Sequence, residues 1–498
     1  MTKSIIIIGA GMGGLAAGIY GQMNGYETQI FEMHTRAGGQ CASWKRKGYT
    51  FDGCIHHFFG CTPGSSAYQL WQELGAMPRE LVTIEDCTAV ASADGKMFID
   101  YYNLEKLKET LLKLSPVDSK LIEQYVGSIK TFSRKKISDK MDSGSLLAMI
   151  ASFPSMLSIR KWIKLDMQSF AERFSDSFLR KAFALLVYSQ PSFPFFFHLL
   201  RHAGGLSGDL QWPVGGAAEF AKSIEMRYLA SGGKIHYKSR VEKILVENDK
   251  AVGIKLVDGS EHRADIIISN ADGRKTILEM LDGKYINEIV RGYCAPLPDE
   301  TPFAVDIFLG INRDLSGEPS SLVLLLEKPV TIANHQYESI EAQLYGFDKS
   351  MAPAGKGTIK VELPASYAYW KQLYEDREKY KQEKQRAAEQ IIEILESHFH
   401  GIKTQVEVID ICTLMTWERY MGGSQGWYNL PNRKFEFVMG EDSSDKKFKT
   451  TLPGLSNFYF VGVWATMMGS LFDNAKSGKT IIQRISKKDG RKFVVSEQ

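Results

Sequence analysis

The chain has 498 residues, 61 Lys and Arg against 58 Asp and Glu, and a formal net charge of +3, so it lacks the pervasive basic excess that would neutralise nucleic-acid phosphates. Its six cysteines, at 41, 54, 61, 87, 294 and 412, form no C-x-x-C pair; they read as reduced thiols, with neither a disulfide frame nor a metal site to propose. No apolar run reaches the ~20 residues that cross a bilayer, and the N-terminus is already a strand with Lys3 as its one flanking charge, so a cytoplasmic protein without a signal peptide is expected.

Ser4 to Gly39 reads as a strand, turn, helix, strand unit. Ile5 to Ile8 is an unbroken β-branched run, as suits a central parallel strand covered on both faces. Gly9, Gly11 and Gly14 follow in the G-x-G-x-x-G pattern, with Met12 and Gly13 inside it. The first glycine allows the tight turn, the second lets backbone approach a pyrophosphate, and the third lets the helix sit close to the strand. Leu15 to Asn24 is the predicted helix, with its N-terminal amides and dipole turned to the phosphates. Gly25 ends it, Thr28 to Phe31 is the second strand, and Glu32 stands about 20 residues beyond the glycines, where an acid accepts a ribose hydroxyl.

NAD and FAD share this fingerprint, and the next residues, MHTRAGGQCASWKRKGYTFDGCIHHF, separate them. They resemble the FAD-dependent superfamily that includes amine oxidases and phytoene desaturases. There the acid is followed by a basic residue and a Gly-Gly pair, here Arg36 with Gly38 and Gly39, and then by a strand ending in Phe-Asp-x-Gly, here Phe51-Asp52-Gly53, one residue short. The resemblance implies FAD as cofactor. Gly38 and Gly39 would let the backbone pass close to the diphosphate and ribityl chain, and Arg36 would offer charge and donors. Met33 and Gln40 belong to the same stretch. His56 and His57 follow near where the family's chain approaches the flavin. They are the candidate acid-base or substrate-orienting residues, with a structural pair as the alternative.

Further along, Ser65 or Ser66 caps a helix with Tyr68, Leu70, Trp71 and Leu74 on its apolar side. Leu81 to Asp100 gives strands with a hairpin at Ala93-Asp94-Gly95, and Leu104 to Leu114 and Asp118 to Lys136 are amphipathic helices. From Ser143 to Ala203 helical periodicity combines with dense Phe, Met and Leu and an excess of basic residues, including the run PSFPFFFHLL. Three readings stay open for this section: a helical lobe packed on the core, a membrane-surface helix, and the roof of a large apolar pocket.

Gly204 to Asp272 matches the phytoene desaturase-related oxidoreductases most fully. Pro213, Gly215 and Gly216, a helix from Ala217 to Leu229, Gly232-Gly233, Val241 and Ile244, and Ser269-Asn270-Ala271-Asp272 occur in the family's order. By that resemblance Val241 contacts the adenine ring, and Asn270 belongs to the cofactor site. Phe303 to Leu309, Ser321 to Leu326 and Thr358 to Leu363 read as strands of a sheet walling a substrate cavity, with one long charged helix from Ala365 to Phe399 behind it. Trp417, Tyr420, Trp427 and Tyr428 mark a glycine-broken aromatic loop, read either as pocket lining or as packing.

At the C-terminus, Phe458 to Val463 is read as a strand running into Gly462, and a helix follows from Leu471 to Ile485. In the family this helix points its N-terminus at the flavin, which brings Gly462, Val463, Leu471 and Phe472 to the cofactor. Met468, Ser470 and Phe472 depart from the Gly, Gly and Pro of many relatives.

The fold class expected is α/β: a Rossmann-type FAD-binding domain from residues 1–80, 205–290 and 440–498, a mixed α+β substrate domain from 81–104 and 291–439, and a helical insertion at 105–204 that faces a membrane in one of its readings. The function implied is FAD-dependent desaturation, saturation or isomerisation of a long apolar polyene, carotenoid- or retinoid-like. Its electrons would be exchanged with oxygen, a quinone or a carrier protein, since only one dinucleotide fingerprint is present. A flavin amine oxidase and a non-catalytic, membrane-associated flavin-binding protein are the alternatives.

Overall fold

The computed structural model describes residues 2–134, 162, 164–298, 304–425, 450–466 and 469–495. A parallel sheet of five strands lies at its centre, in the order Lys234–His236, Glu27–Phe31, Ser4–Ile8, Ile266–Ser269, Phe458–Phe460. Three distant stretches of chain therefore meet in one sheet. Ile5 pairs with Thr28 on one side and Ile266 on the other. The isoleucines of the first strand divide between the two faces, as the two-residue strand period requires. Ile5 and Ile7 enter one core with the helices Met12–Met23 and Leu471–Lys488, whereas Ile6 and Ile8 enter another with Val241, Ile244 and Ile254. Those last residues come from an antiparallel sheet, Val241–Glu247, Lys250–Leu256 and Glu261–Arg263.

The first helix starts three residues earlier than its sequence suggests, because Gly11, extended at φ −74° and ψ 178°, is its N-cap. The last strand ends at Phe460 rather than Val463, because Gly462, at φ +77°, turns the chain into a short 3₁₀ segment.

A second sheet has seven strands, ordered Val406–Cys412, Ala304–Ile311, Gly357–Pro364, His335–Leu344, Ser321–Ile332, Asp86–Ser92, Met97–Tyr101. All neighbours run antiparallel except Ser321–Ile332 with Asp86–Ser92. Sequence patterning overlooked His335–Leu344 and Val406–Cys412, whose polar residues hide a period of two. The long helix expected behind this sheet is two helices, Tyr367–Glu375 and Arg377–Glu396. Asp376 breaks it by leaving the helical conformation and capping the second helix, its Oδ1 accepting from the Glu378 and Lys379 amides at 3.1 and 3.2 Å.

The helical lobe comprises Leu104–Leu114, Ser119–Arg134, Met167–Ala171, Ser177–Leu185 and Phe195–Ser207. Residues 135–161 and 163, with part of the basic section, lie outside the described residues. In the rest the aromatic supply is core: Phe170, Phe183, Phe195 and Phe196 are fully buried, and Phe170 stacks on Phe195 with centroids 4.0 Å apart. Among the described residues no helix is long and apolar enough to cross a membrane.

Candidate functional site

Parallel strands carry the residues that follow them to one edge of the central sheet. There Gly9 follows Ile8, Glu32 follows Phe31, Asn270 follows Ser269 and Val461-Gly462 follows Phe460. In front of that edge lies a cavity of about 2690 Å³. Sites for one drug-sized ligand occupy roughly 300–1,000 Å³, so this volume accommodates a dinucleotide and a second large molecule. Its walls include Gly9, Gly11, Met12, Gly13, Glu32, Met33, Arg36, Gly38, Gly39, Gln40, Val241, Asn270, Gly462, Val463, Leu471 and Phe472, with His56 and His57 further in. Gly14 lies beneath the surface instead, where an added Cβ would stand 2.1 Å from the Gly9 carbonyl oxygen; its role is helix-to-strand contact.

The residues present fit an FAD. No side chain caps the helix Met12–Met23 and no acid stands in its first turn, which leaves its amides for an anion. A Cβ on Gly11, Gly13 or Gly462 would lie 2.7, 2.8 or 2.2 Å from Asn270 side-chain atoms. Asn270 thus locks three backbone segments together, its Nδ2 donating to the Gly9 carbonyl at 3.4 Å. Gly39 passes so near Gly11 that a Cβ would be 3.2 Å from its Cα, so backbone rather than side chain forms this wall. Buried Glu32 is held by two amides, Ala10 to Oε2 at 2.7 Å and His34 to Oε1 at 2.8 Å, and a carboxylate so held keeps lone pairs that can accept from a hydroxyl. Arg36 is braced through Nη1 on the Ser43 carbonyl at 2.9 Å. Val241, nearly buried, pairs with Leu256 just before a register shift in its strand. Ser470 caps the last helix by accepting from the Asp473 amide at 3.1 Å, and Gly462 donates its N–H to Ser477 Oγ at 2.8 Å. Both described ends of the turn between strand and helix are therefore anchored; Met468 lies outside the described residues.

Deeper in, side chains from distant segments take over. His56 Nδ1 is bonded to Gln343 Nε2, and its Nε2 lies 3.8 Å from Glu362. Glu362 pairs with buried Lys360 at 3.0 Å, Lys360 with Asp306 at 3.3 Å, and Trp417 donates its indole N–H to Asp306 at 2.9 Å. Burial disfavours the Lys360 charge, but Asp306 and Glu362 outweigh it and hold the ammonium protonated. Burial works against the Glu362 carboxylate too, yet Lys360 brings its pKa down to about 2. Burial, with Lys360 next, depresses His56 to about 4. Burial and Arg201 keep His57 well below the usual histidine range. Both imidazoles are thus neutral near pH 7 and able to donate or accept a hydrogen bond, but not poised as imidazolium acids.

Asp52, fully buried, accepts from the amides of Cys54, Ile55 and Ala217 at 2.8, 2.9 and 2.6 Å. It clamps the segment leading to the histidines onto the helix Gly216–Ala230. Trp417 and Tyr420 line the cavity, whereas Trp427 and Tyr428 lie outside the described residues. Sequence reasoning missed Asp306, Lys360, Glu362 and Arg201. The alternation in Ile359-Lys360-Val361-Glu362 marks a strand, but nothing in it tells what its charged face meets.

The family model described as flavin containing amine oxidoreductase matches residues 12–480. The chain is 24% identical over 478 residues to the chloroplastic prolycopene isomerase of Daucus carota, covering 92% of this chain and 75% of that one. It is likewise 24% identical over 482 residues to a 4,4'-diapophytoene desaturase of Methylomonas, covering 87% and 89%. Among solved structures, an oxidoreductase from Methanosarcina mazei is similar with a TM-score of 0.59 at 20% identity, over 96% of this chain and all of that one, a likeness of fold.

Proposed function

We propose, from the premise that the chain belongs to the flavin-containing amine oxidoreductase family and is an FAD-dependent oxidoreductase of the carotenoid desaturase and isomerase type, that it acts on C–C or C=C bonds of a long apolar polyene. The observation that carries this reading is the single cavity of about 2690 Å³ that runs from the glycine turn to the helical lobe. At the lobe its lining includes Phe132, Val187, Phe193, Phe197 and Leu200 beside a few polar residues such as Gln190 and Arg201, a largely apolar wall suited to an extended hydrocarbon rather than to a small amine. The flavin would supply hydride exchange at N5.

The chain's own residues then have separable tasks. Amides of the first helical turn hold the diphosphate, Glu32 a ribose hydroxyl, and Arg36 adds charge. The N-terminus of Leu471–Lys488 turns its partial positive charge toward the ring. His56 and His57, both neutral, orient substrate instead of transferring a formal charge. Electrons go to oxygen, a quinone or a carrier protein. Phe59 and Tyr188 are both exposed and part of the cavity lining, which supports lipid entry from a membrane surface touched by the lobe of an otherwise cytoplasmic protein. The amine oxidase alternative is not favoured, because the relatives matched over most of the chain are named for carotenoid chemistry. The non-catalytic alternative falls with the family assignment.

The test is to purify the yellow holoprotein and add polyene lipids without oxygen while following flavin absorbance and products by chromatography. Bleaching or an altered polyene is expected. Hydrogen peroxide release on amines, with every polyene unchanged, would overturn the reading.

A further inference from the structure

The helix Phe195–Ser207 turns Phe197, Leu200, Arg201 and Gly204 to the cavity, the i, i+3, i+4, i+7 spacing of one helical face. Three of these are apolar or small, and the fourth is a cation. Arg201 spends two of its five N–H groups on carbonyls, Nη1 on Leu186 at 3.3 Å and Nη2 on Cys87 at 2.5 Å. Its Nε is buried without an acceptor, and among the described residues no carboxylate forms an ion pair with it. The acids in its neighbourhood are engaged elsewhere: Asp100 with His202 at 2.9 Å, Asp86 with the Ser320 amide at 3.0 Å, and Glu341 with Ser189 and Ser321 at 2.9 and 3.1 Å. On the same lining His57 has a buried, unpartnered Nδ1.

Asp86, Asp100 and Glu341 lie near enough to favour the Arg201 charge, with none of them bonded to it. A guanidinium on a cavity lining is a ready partner for a carboxylate. Nothing about a pure hydrocarbon needs such a group at the end of an aromatic chamber. We propose, resting on the polyene reading above, that the substrate is a long apolar chain ending in a carboxylate, and that Arg201, with His57 beside it, receives that end. Arg201 then acts as a positioning residue: it fixes which carbon of the chain stands at the flavin.

The test compares all-trans-retinoate, retinol and the parent hydrocarbon on the wild-type holoenzyme, by the perturbation each causes in flavin absorbance. The acid is expected to bind at least about tenfold more tightly than the alcohol, as a charge-assisted contact implies. Arg201→Gln should erase that preference while leaving alcohol binding in place, and Arg201→Lys should keep part of it. Equal or tighter binding of the alcohol by wild type, or an unchanged acid preference in Arg201→Gln, would overturn the assignment. Should Arg201→Gln fail to hold FAD, the wild-type ratio of acid to alcohol decides alone. Equal binding of all three ligands sinks only the arginine assignment, whereas binding of none sinks the polyene reading along with it.

Discussion

At the glycine turn the cavity wall is backbone, shaped by residues within forty positions of one another and by Asn270 wedged among Gly11, Gly13 and Gly462. At the other end it is side chains: His56 and Arg201 line the cavity, and Glu362, Lys360 and Asp306 of the second sheet form a chain of charges that starts beside His56. A cofactor common to many proteins is held by main-chain geometry that any side chain would block. The charged groups at the other end owe their placement to the whole fold.

The sharpest way to break the comparison is Lys360→Met. Removing the buried ammonium leaves buried Asp306 without its counter-charge, and a loss of about 3 kcal/mol is expected by urea denaturation. A loss below ~1 kcal/mol would show that the cluster is hydrated and adaptable. On the backbone side, Gly14→Ala places a methyl 2.1 Å from the Gly9 carbonyl oxygen, which cannot retreat without moving the strand. It should cost about 1–3 kcal/mol and strip the flavin, read from absorbance per protein after gel filtration. Full flavin content would refute the close-contact role of this glycine.

Acid should act on the side-chain half. His198 is fully buried, bonded to Tyr125 at 2.7 Å, and burial holds its pKa at about 3. An unfolded histidine titrates near 6.5, so between pH 6.5 and about 3 the unfolded chain binds the extra proton. Stability attributable to this group is therefore whole above pH 6.5 and falls as pH drops, by about 2 kcal/mol at pH 5. Urea midpoints at pH 7 and pH 5 check this, and a midpoint that does not fall would contradict it. The smallest effect is a gain. Gly127 is exposed in the helix Ser119–Arg134 with nothing within 4 Å of an added Cβ, so Gly127→Ala should stabilise by about 0.5–1 kcal/mol, visible as a raised melting temperature with flavin content unchanged.

Which features were legible in the chain follows the same division. Glu32 and the glycines could be placed because their spacing is local, and the Ser65 cap and the Gly95 turn could be placed because a capping oxygen or a positive φ is a short-range demand. The break at Asp376 was missed because an aspartate in a charged helix carries no sign of which amides it will accept from. Lys360 and Glu362 were missed because burial of a strand face is decided by what packs against it.

By itself, then, the sequence determined the first parallel strand, the glycine turn, the acid that follows and the C-terminal helix, since each is dictated by side-chain size and backbone freedom over a few residues. Only the tertiary structure decided that the phenylalanines of the described part of the middle section, Phe170, Phe183, Phe195 and Phe196, are core, that Asn270 locks three segments, and that Arg201 stands on the cavity lining. Burial and electrostatic partnership depend on what the whole fold packs against a residue, and no local pattern records them.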